Sequence, residues 1–109
     1  MGMNWTAFGI EHVGTSDGAV MGNAAQMRSS YALTLWLVQK FHLEVRDVIG
    51  HSENLISPYH VEHVAKWRCQ THADWSHEHM RTYRTRLRNL ATRHNVPIGP
   101  PPEWVDSSC

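Results

Sequence analysis

Residues 23 to 43 carry apolar side chains at helical spacing, so any fold of this chain has to bury one face of a long helix. Asn23 is a suitable N-cap for that helix. The residues expected to form its buried stripe are Met27, Tyr31, Leu35, Val38 and His42. A second helix is predicted from Trp75 or Ser76 to about His94, and its inner face would consist of Met80, Tyr83, Leu87 and Leu90.

Two short segments on either side of the first helix have the composition of β-strands. Residues 5 to 13 are rich in aromatic and branched side chains, and a turn is predicted at 15 to 18. The run from 45 to 49 is Val-Arg-Asp-Val-Ile and ends at Gly50. The order strand, helix, strand, long loop, helix predicts an α/β domain with a mixed central sheet flanked by helices. Because two strands alone make a poor sheet, we expect further strands outside this chain.

Length and charge restrict the class of protein further. With 109 residues, 41% of them hydrophobic, the chain fits one small domain, which we assign to residues 1–95, followed by a Pro-rich tail at 96–109. Ten basic residues balance ten acidic ones, so nucleic acid is not an expected partner. Residues 1–10 do not form a secretory signal, and no run is long enough to cross a membrane. We expect a monomer in which Cys69 and Cys109 are free thiols.

Histidine is the unusual component of the sequence. Of nine histidines, six fall within the 29 positions from 51 to 79, namely His51, His60, His63, His72, His77 and His79. Such crowding indicates metal binding or acid–base chemistry. Residues 52 to 73 lack a steady period and contain Pro58, which predicts a long irregular loop of the kind that often carries function. His51 itself is expected at the end of the second strand.

Three short motifs occur in a fixed order along the chain. They are Gly9-Ile10-Glu11, Gly50-His51 and His72-Ala73-Asp74. Their order and separation resemble the zinc-dependent type-2 N-acetylmuramoyl-L-alanine amidases and the peptidoglycan recognition proteins, over residues 4 to 90. In that family a G-I-E strand precedes a long helix, and the next strand ends in G-H. A loop then closes on a basic residue two positions before an Asp or Cys.

The resemblance implies a role for each of four residues. His51 and Asp74 would be zinc ligands, Glu11 would carry the proton of the attacking water, and His72 would stand near the oxyanion, where many members have lysine. Imidazole and carboxylate are ligands that zinc accepts, and a catalytic site leaves one position open. The family's first zinc histidine and a catalytic tyrosine lie upstream of the G-I-E strand. Only ten residues precede Glu11, so we expect the N-terminal part of the domain to be missing. His12 would replace that histidine poorly, because neighbouring side chains on a strand point to opposite faces.

The function implied by the resemblance is hydrolysis of the amide between N-acetylmuramic acid and L-alanine in peptidoglycan, during lysis or remodelling of the cell wall by a bacterium or its phage. An alternative is a catalytically impaired module that binds peptidoglycan. A third hypothesis, a DNA-associated protein that uses the arginines of the last helix, is disfavoured by the neutral charge.

Several residues near the motifs also have structural interpretations. Asp74 or Ser76 could cap the last helix instead of binding metal. His60 and His63 could bind metal but are expected to face solvent or line a groove. Cys69 could replace a ligand if the loop folds back, but it is expected to be an inert thiol. Trp67 and Trp75 could stack on substrate or pack in the core. The residues expected on solvated surfaces are His77, His79, Arg81, Arg84, Arg86, Arg88 and Arg93.

Overall fold

The computed structural model describes residues 7–51, 53, 64 and 75–99. Within this described part the elements are helix α1 at Asp17–Gly22, helix α2 at Ala24–Phe41, a 3-10 turn at Val45–Asp47 and helix α3 at His77–Arg93. None of the described helices is both long enough and apolar enough to pass through a bilayer.

The long first helix of the sequence prediction is α2, and its N-cap is confirmed. Asn23 accepts a hydrogen bond from the backbone N–H of Gln26 at 3.0 Å through its side-chain oxygen. Met27, Leu35 and Val38 are buried, as predicted. His42 is not part of the buried stripe, because it adopts a left-handed conformation with φ of 54° and ends the helix at an exposed position. The predicted turn at 15 to 18 is the start of α1, which is capped by Ser16.

The second predicted helix is α3, which begins one residue after Ser76. The hydroxyl of Ser76 accepts a hydrogen bond from the backbone N–H of His79 at 3.2 Å, and the His79 ring reaches back to the Ser76 backbone N–H at 3.3 Å. This reciprocal capping fixes the start of the helix. Met80, Tyr83 and Leu87 of the predicted inner face are buried, and Leu90 is partly buried against the core.

The predicted mixed central sheet is wrong for the described residues, which contain helices and turns but no strand. Around Val13 the partner of the backbone is a side chain. Gln26 accepts from the Val13 N–H at 2.6 Å and donates to the Val13 carbonyl at 2.8 Å, so it takes the place of a neighbouring strand.

The second predicted strand is replaced by the 3-10 turn. The Glu44 backbone N–H donates to the Asp47 carboxylate at 2.7 Å, and the side chains of both residues cap the turn. Such local side-chain bonds compete with strand pairing. The branched side chain of Val45 then packs into a core between helices and is fully buried.

The core consists of two clusters of buried side chains, and each contains residues of both α2 and α3. One consists of Leu35, Val38, Val45, Leu87, Ala91 and Ile98. The other consists of Val20, Met27, Met80 and Tyr83. Beyond α3 the chain stays on the core, since the Val45 N–H donates to the Ile98 carbonyl at 2.6 Å. The assignment of 1–95 to the domain and 96–109 to a tail stays a prediction.

Candidate functional site

Glu11 lies on the irregular segment that precedes α1, and its side chain is exposed. The next residue turns inward. His12 Nε2 lies 2.7 Å from the Ser30 hydroxyl, and the His12 ring stacks on Trp75 with the ring centroids 4.7 Å apart. Burial lowers the pKa of His12 below its ordinary value, which favours the neutral ring. His12 therefore anchors the segment, while Glu11 is left accessible to a substrate.

The anchor of His12 continues into a buried network of hydroxyl groups. The Tyr83 hydroxyl lies 2.7 Å from the Ser30 hydroxyl and 2.8 Å from the Thr34 hydroxyl. Burial is the main cause that raises the pKa of Tyr83, so its hydroxyl stays protonated. We call His12, Ser30, Thr34 and Tyr83 the hydroxyl cluster. It joins the segment of Glu11 to both long helices without any fixed charge.

His51 lies on a tight turn that packs against α3, and its side chain is exposed. Gly50 allows this close approach, because a Cβ at that position would lie only 2.6 Å from Cγ of Met80. The turn closes on itself. The Gly50 N–H donates to Glu53 Oε1 at 2.9 Å, and the Glu53 N–H donates to the Gly50 carbonyl at 3.0 Å. Both ends of the segment that carries His51 are therefore held.

The carboxylate of Glu53 is fully buried at the centre of an ionic cluster. Arg84 donates to it through two nitrogens, Nη1 to Oε1 at 2.7 Å and Nη2 to Oε2 at 2.8 Å. His77 Nδ1 lies 2.5 Å from Oε2. Arg84 Nη1 also donates to the Val48 carbonyl at 3.0 Å. We call Glu53, His77 and Arg84 the carboxylate cluster. Paired donors of this kind satisfy the hydrogen-bonding capacity of a buried carboxylate.

The expectation that Arg84 is solvated is wrong, since Arg84 is only 3% exposed. The position of Arg84 in the sequence already indicates that it is buried. Arg84 lies four residues after Met80 and three before Leu87, which places it on the buried stripe of α3. A basic residue on such a stripe requires a carboxylate partner. The sequence gives no comparable signal for Glu53, which lies in an aperiodic region.

His77 and His79, which were expected on the solvated surface, are both only partly exposed, because each contacts another side chain of the protein. His77 belongs to the carboxylate cluster, whereas His79 caps α3 and its Nδ1 lies 3.4 Å from the Asp17 carboxylate. Trp75 is partly buried and packs against the core, with its ring centroid 5.6 Å from that of Tyr83.

The four predicted catalytic and metal residues are only partly described by the structure. Glu11 and His51 are both exposed, whereas His72 and Asp74 lie outside the described residues, as do His60, His63, Trp67, Cys69 and Cys109. Among the residues that are described, no group of three or more His, Cys, Asp or Glu side chains is placed to hold a metal ion. The roles of Glu11, His51, His72 and Asp74 therefore stay predictions.

The sequence profile of one protein family, described as N-acetylmuramoyl-L-alanine amidase, matches residues 1–60. That match covers more than half of the 109-residue chain. The chain therefore belongs to the N-acetylmuramoyl-L-alanine amidase family, as the motifs indicated. No curated protein and no solved structure gives a significant match.

Family membership supports the coarser part of the predicted function, an amidase-type hydrolase family with peptidoglycan as its substrate. The matched range includes Glu11, His51 and Glu53 and ends before His72 and Asp74. The predictions of a monomer and of no nucleic-acid partner stay untested.

Proposed function

We propose that this protein is a zinc-dependent amidase that hydrolyses the bond between N-acetylmuramic acid and the L-alanine of the peptidoglycan stem peptide. Family membership supports the reaction class. The observation that carries the proposal is the placement of His51 within the matched range. Its side chain is exposed, yet the turn that carries it is closed by a hydrogen bond from the Gly50 N–H to the buried carboxylate of Glu53. An accessible imidazole on a fixed backbone is suited to binding a metal ion.

The donor set proposed for zinc consists of His51 and Asp74. An imidazole nitrogen and a carboxylate oxygen are both ordinary zinc ligands, so the chemistry of these two side chains fits the ion. Zinc bound there would polarise the scissile carbonyl and make water more acidic near neutral pH.

The remaining steps belong to the protein's own side chains. Glu11, which is exposed, takes a proton from the attacking water and returns it to the departing amide nitrogen. His72 is proposed to donate an N–H to the oxyanion as negative charge develops on the carbonyl oxygen. Neither role makes these two residues metal ligands, so their loss should separate turnover from metal binding.

The test is release of new L-alanine amino termini from purified peptidoglycan. Glu11→Gln keeps the shape of the side chain but removes its basicity, and we expect it to lower turnover by about 10²–10⁴-fold with zinc content unchanged. Glu78→Gln is the matched control, because Glu78 is an exposed glutamate on α3 that pairs with Arg81 at the surface. Unchanged turnover in Glu11→Gln would remove Glu11 from the mechanism.

A second candidate function is a module that binds peptidoglycan without cutting it. The observation that favours it is the end of the family match at residue 60, before two of the four proposed site residues. Cosedimentation with insoluble peptidoglycan separates the two functions. Binding without release of amino termini, equal in the wild type and in Glu11→Gln, would favour the binding module.

A further inference from the structure

We infer that Glu53 is a positioning residue for His51, because its carboxylate joins the turn that carries His51 to helix α3. This inference rests on the proposed function, in which His51 and Asp74 bind zinc. Neither the family match nor the sequence motifs assign Glu53 a role. Glu53 makes contacts at three places, which are the turn of His51, the start of α3 and the guanidinium of Arg84.

The first connection is to the turn of His51. Glu53 Oε1 accepts from the Gly50 N–H at 2.9 Å, and the Glu53 N–H donates to the Gly50 carbonyl at 3.0 Å. His51 is therefore enclosed by two hydrogen bonds that join the residue before it to Glu53. The closed backbone sets the direction of the Cα–Cβ bond of His51, from which the imidazole extends.

The second connection is to the start of α3. Glu53 Oε2 is 2.5 Å from Nδ1 of His77, and His77 is the first residue of the helix. One carboxylate thus bonds both to the turn that bears His51 and to the start of α3. A metal ligand keeps a fixed position when the backbone that carries it is bonded to a rigid partner.

The third connection is the ion pair of Glu53 with Arg84. Its guanidinium binds both oxygens of Glu53 and also the Val48 carbonyl, which lies on the other side of His51 along the chain. The planar fork has no freedom to follow a displaced carboxylate without losing one of these bonds. Together with the bond from Gly50 and the contact of His77, all four lone-pair positions of the Glu53 carboxylate have partners.

Stability alone is a poor explanation for this arrangement. Burying an ion pair costs desolvation, and apolar residues of similar volume often stabilise a fold as well or better. What apolar residues cannot supply is a set of directed bonds between two separate segments, the turn of His51 and α3. The carboxylate cluster therefore provides a defined geometry around His51, which a metal site requires.

The experiment compares conservative variants of the buried pair with the same changes in an exposed pair on α3. Glu53→Gln and Arg84→Lys alter the carboxylate cluster, whereas Glu78→Gln and Arg81→Lys alter the surface pair, whose atoms are 3.0 Å apart. Zinc affinity is measured by competition with a chromophoric chelator. The visible spectrum of the cobalt-substituted protein reports ligand geometry independently of activity. Amide hydrogen exchange at Gly50, without metal, reports the closure of the turn.

We expect each variant of the buried pair to weaken zinc binding by about 10–100-fold, to change the intensity of the cobalt bands and to speed exchange of the Gly50 amide. The surface variants should match the wild type in all three. If Glu53→Gln does not fold, Arg84→Lys carries the test, since it keeps the positive charge. In the wild type alone, a Gly50 amide that exchanges as fast as the amide of the exposed Gly9 would overturn the inference.

A variant of the ligand separates this inference from the proposed function. If His51→Ala loses zinc affinity while Glu53→Gln and Arg84→Lys keep it, the positioning role is overturned and the proposed function stands. If His51→Ala binds zinc as tightly as the wild type, the proposed ligand is wrong and the positioning role is overturned with it.

Discussion

The carboxylate cluster and the hydroxyl cluster hold two parts of the chain in different ways. The carboxylate cluster fixes the turn of His51 with a buried ion pair between Glu53 and Arg84. The hydroxyl cluster fixes the segment of Glu11 with neutral groups that meet at Tyr83. Each cluster connects the helices to an exposed residue with a proposed function, His51 in the first case and Glu11 in the second. They differ in what remains when one partner is removed.

A charge left behind in the interior is much more costly than a hydroxyl left behind there. Removing one member of a buried ion pair typically costs about 3–5 kcal/mol, whereas an unsatisfied neutral group costs about 1–3 kcal/mol. The segment of His51 should therefore depend steeply on every member of its cluster. The segment of Glu11 should tolerate single losses.

The largest predicted effect is that of Arg84→Met, which leaves Glu53 buried without its main counter-charge. We expect the free energy of unfolding to fall by about 3–5 kcal/mol. Urea denaturation followed by circular dichroism measures it. Arg81→Met is the control and should stay within about 0.5 kcal/mol of the wild type, because Arg81 is exposed. A cost for Arg84→Met as small as that of the control would show that the buried pair does not hold the fold.

A smaller effect is expected from Tyr83→Phe, which removes the hydroxyl that joins Ser30 and Thr34. The expected loss is about 1–2 kcal/mol. Tyr31→Phe offers a close comparison, because the Tyr31 hydroxyl is buried and has no hydrogen-bond partner within the described part of the chain. Its removal should be neutral or stabilising. Equal losses in the two variants would mean that the hydroxyl cluster contributes no specific bonds.

The smallest effect is a pH dependence from His12. Burial places the folded-state pKa of His12 below the unfolded one, so the unfolded chain binds the proton more readily. The contribution to stability is full above the ordinary histidine pKa of about 6.5 and is lost as the pH falls below it. His12→Phe keeps a ring beside Trp75 and removes the titration. Unfolding measured between about pH 8 and pH 5 should show a steeper loss in the wild type than in the variant. Parallel curves would contradict this assignment.

The two long helices could be predicted because their signals are local. Asn23 and Ser76 are capping residues at the start of apolar periods, and both cap helices in the structure. The sheet could not be judged in this way. The runs around Val13 and Val45 have strand composition, but a segment forms a β-strand only when another strand pairs with its backbone. Here that partner is the Gln26 side chain for one run and a local capping pair for the other.

The candidate site divides along the same line. The family could be predicted from the motifs of Glu11, His51 and Asp74, because short motifs in a fixed order can be recognised without knowing the fold. Glu53 could not be predicted, since its importance arises from contacts with α3 that are 24 and 31 residues away in sequence. Arg84 lay between these cases, because its position on a buried stripe could be read from spacing alone.

The central claim, that His51 binds zinc on a turn held from below, is tested most directly by calorimetric titration of zinc into the wild type and His51→Ala. His94→Ala is the matched control, because His94 is also exposed and follows the end of α3. We predict that His51→Ala lowers zinc affinity by at least about 10-fold and that His94→Ala does not change it. Equal zinc affinity in His51→Ala and the wild type would contradict the account.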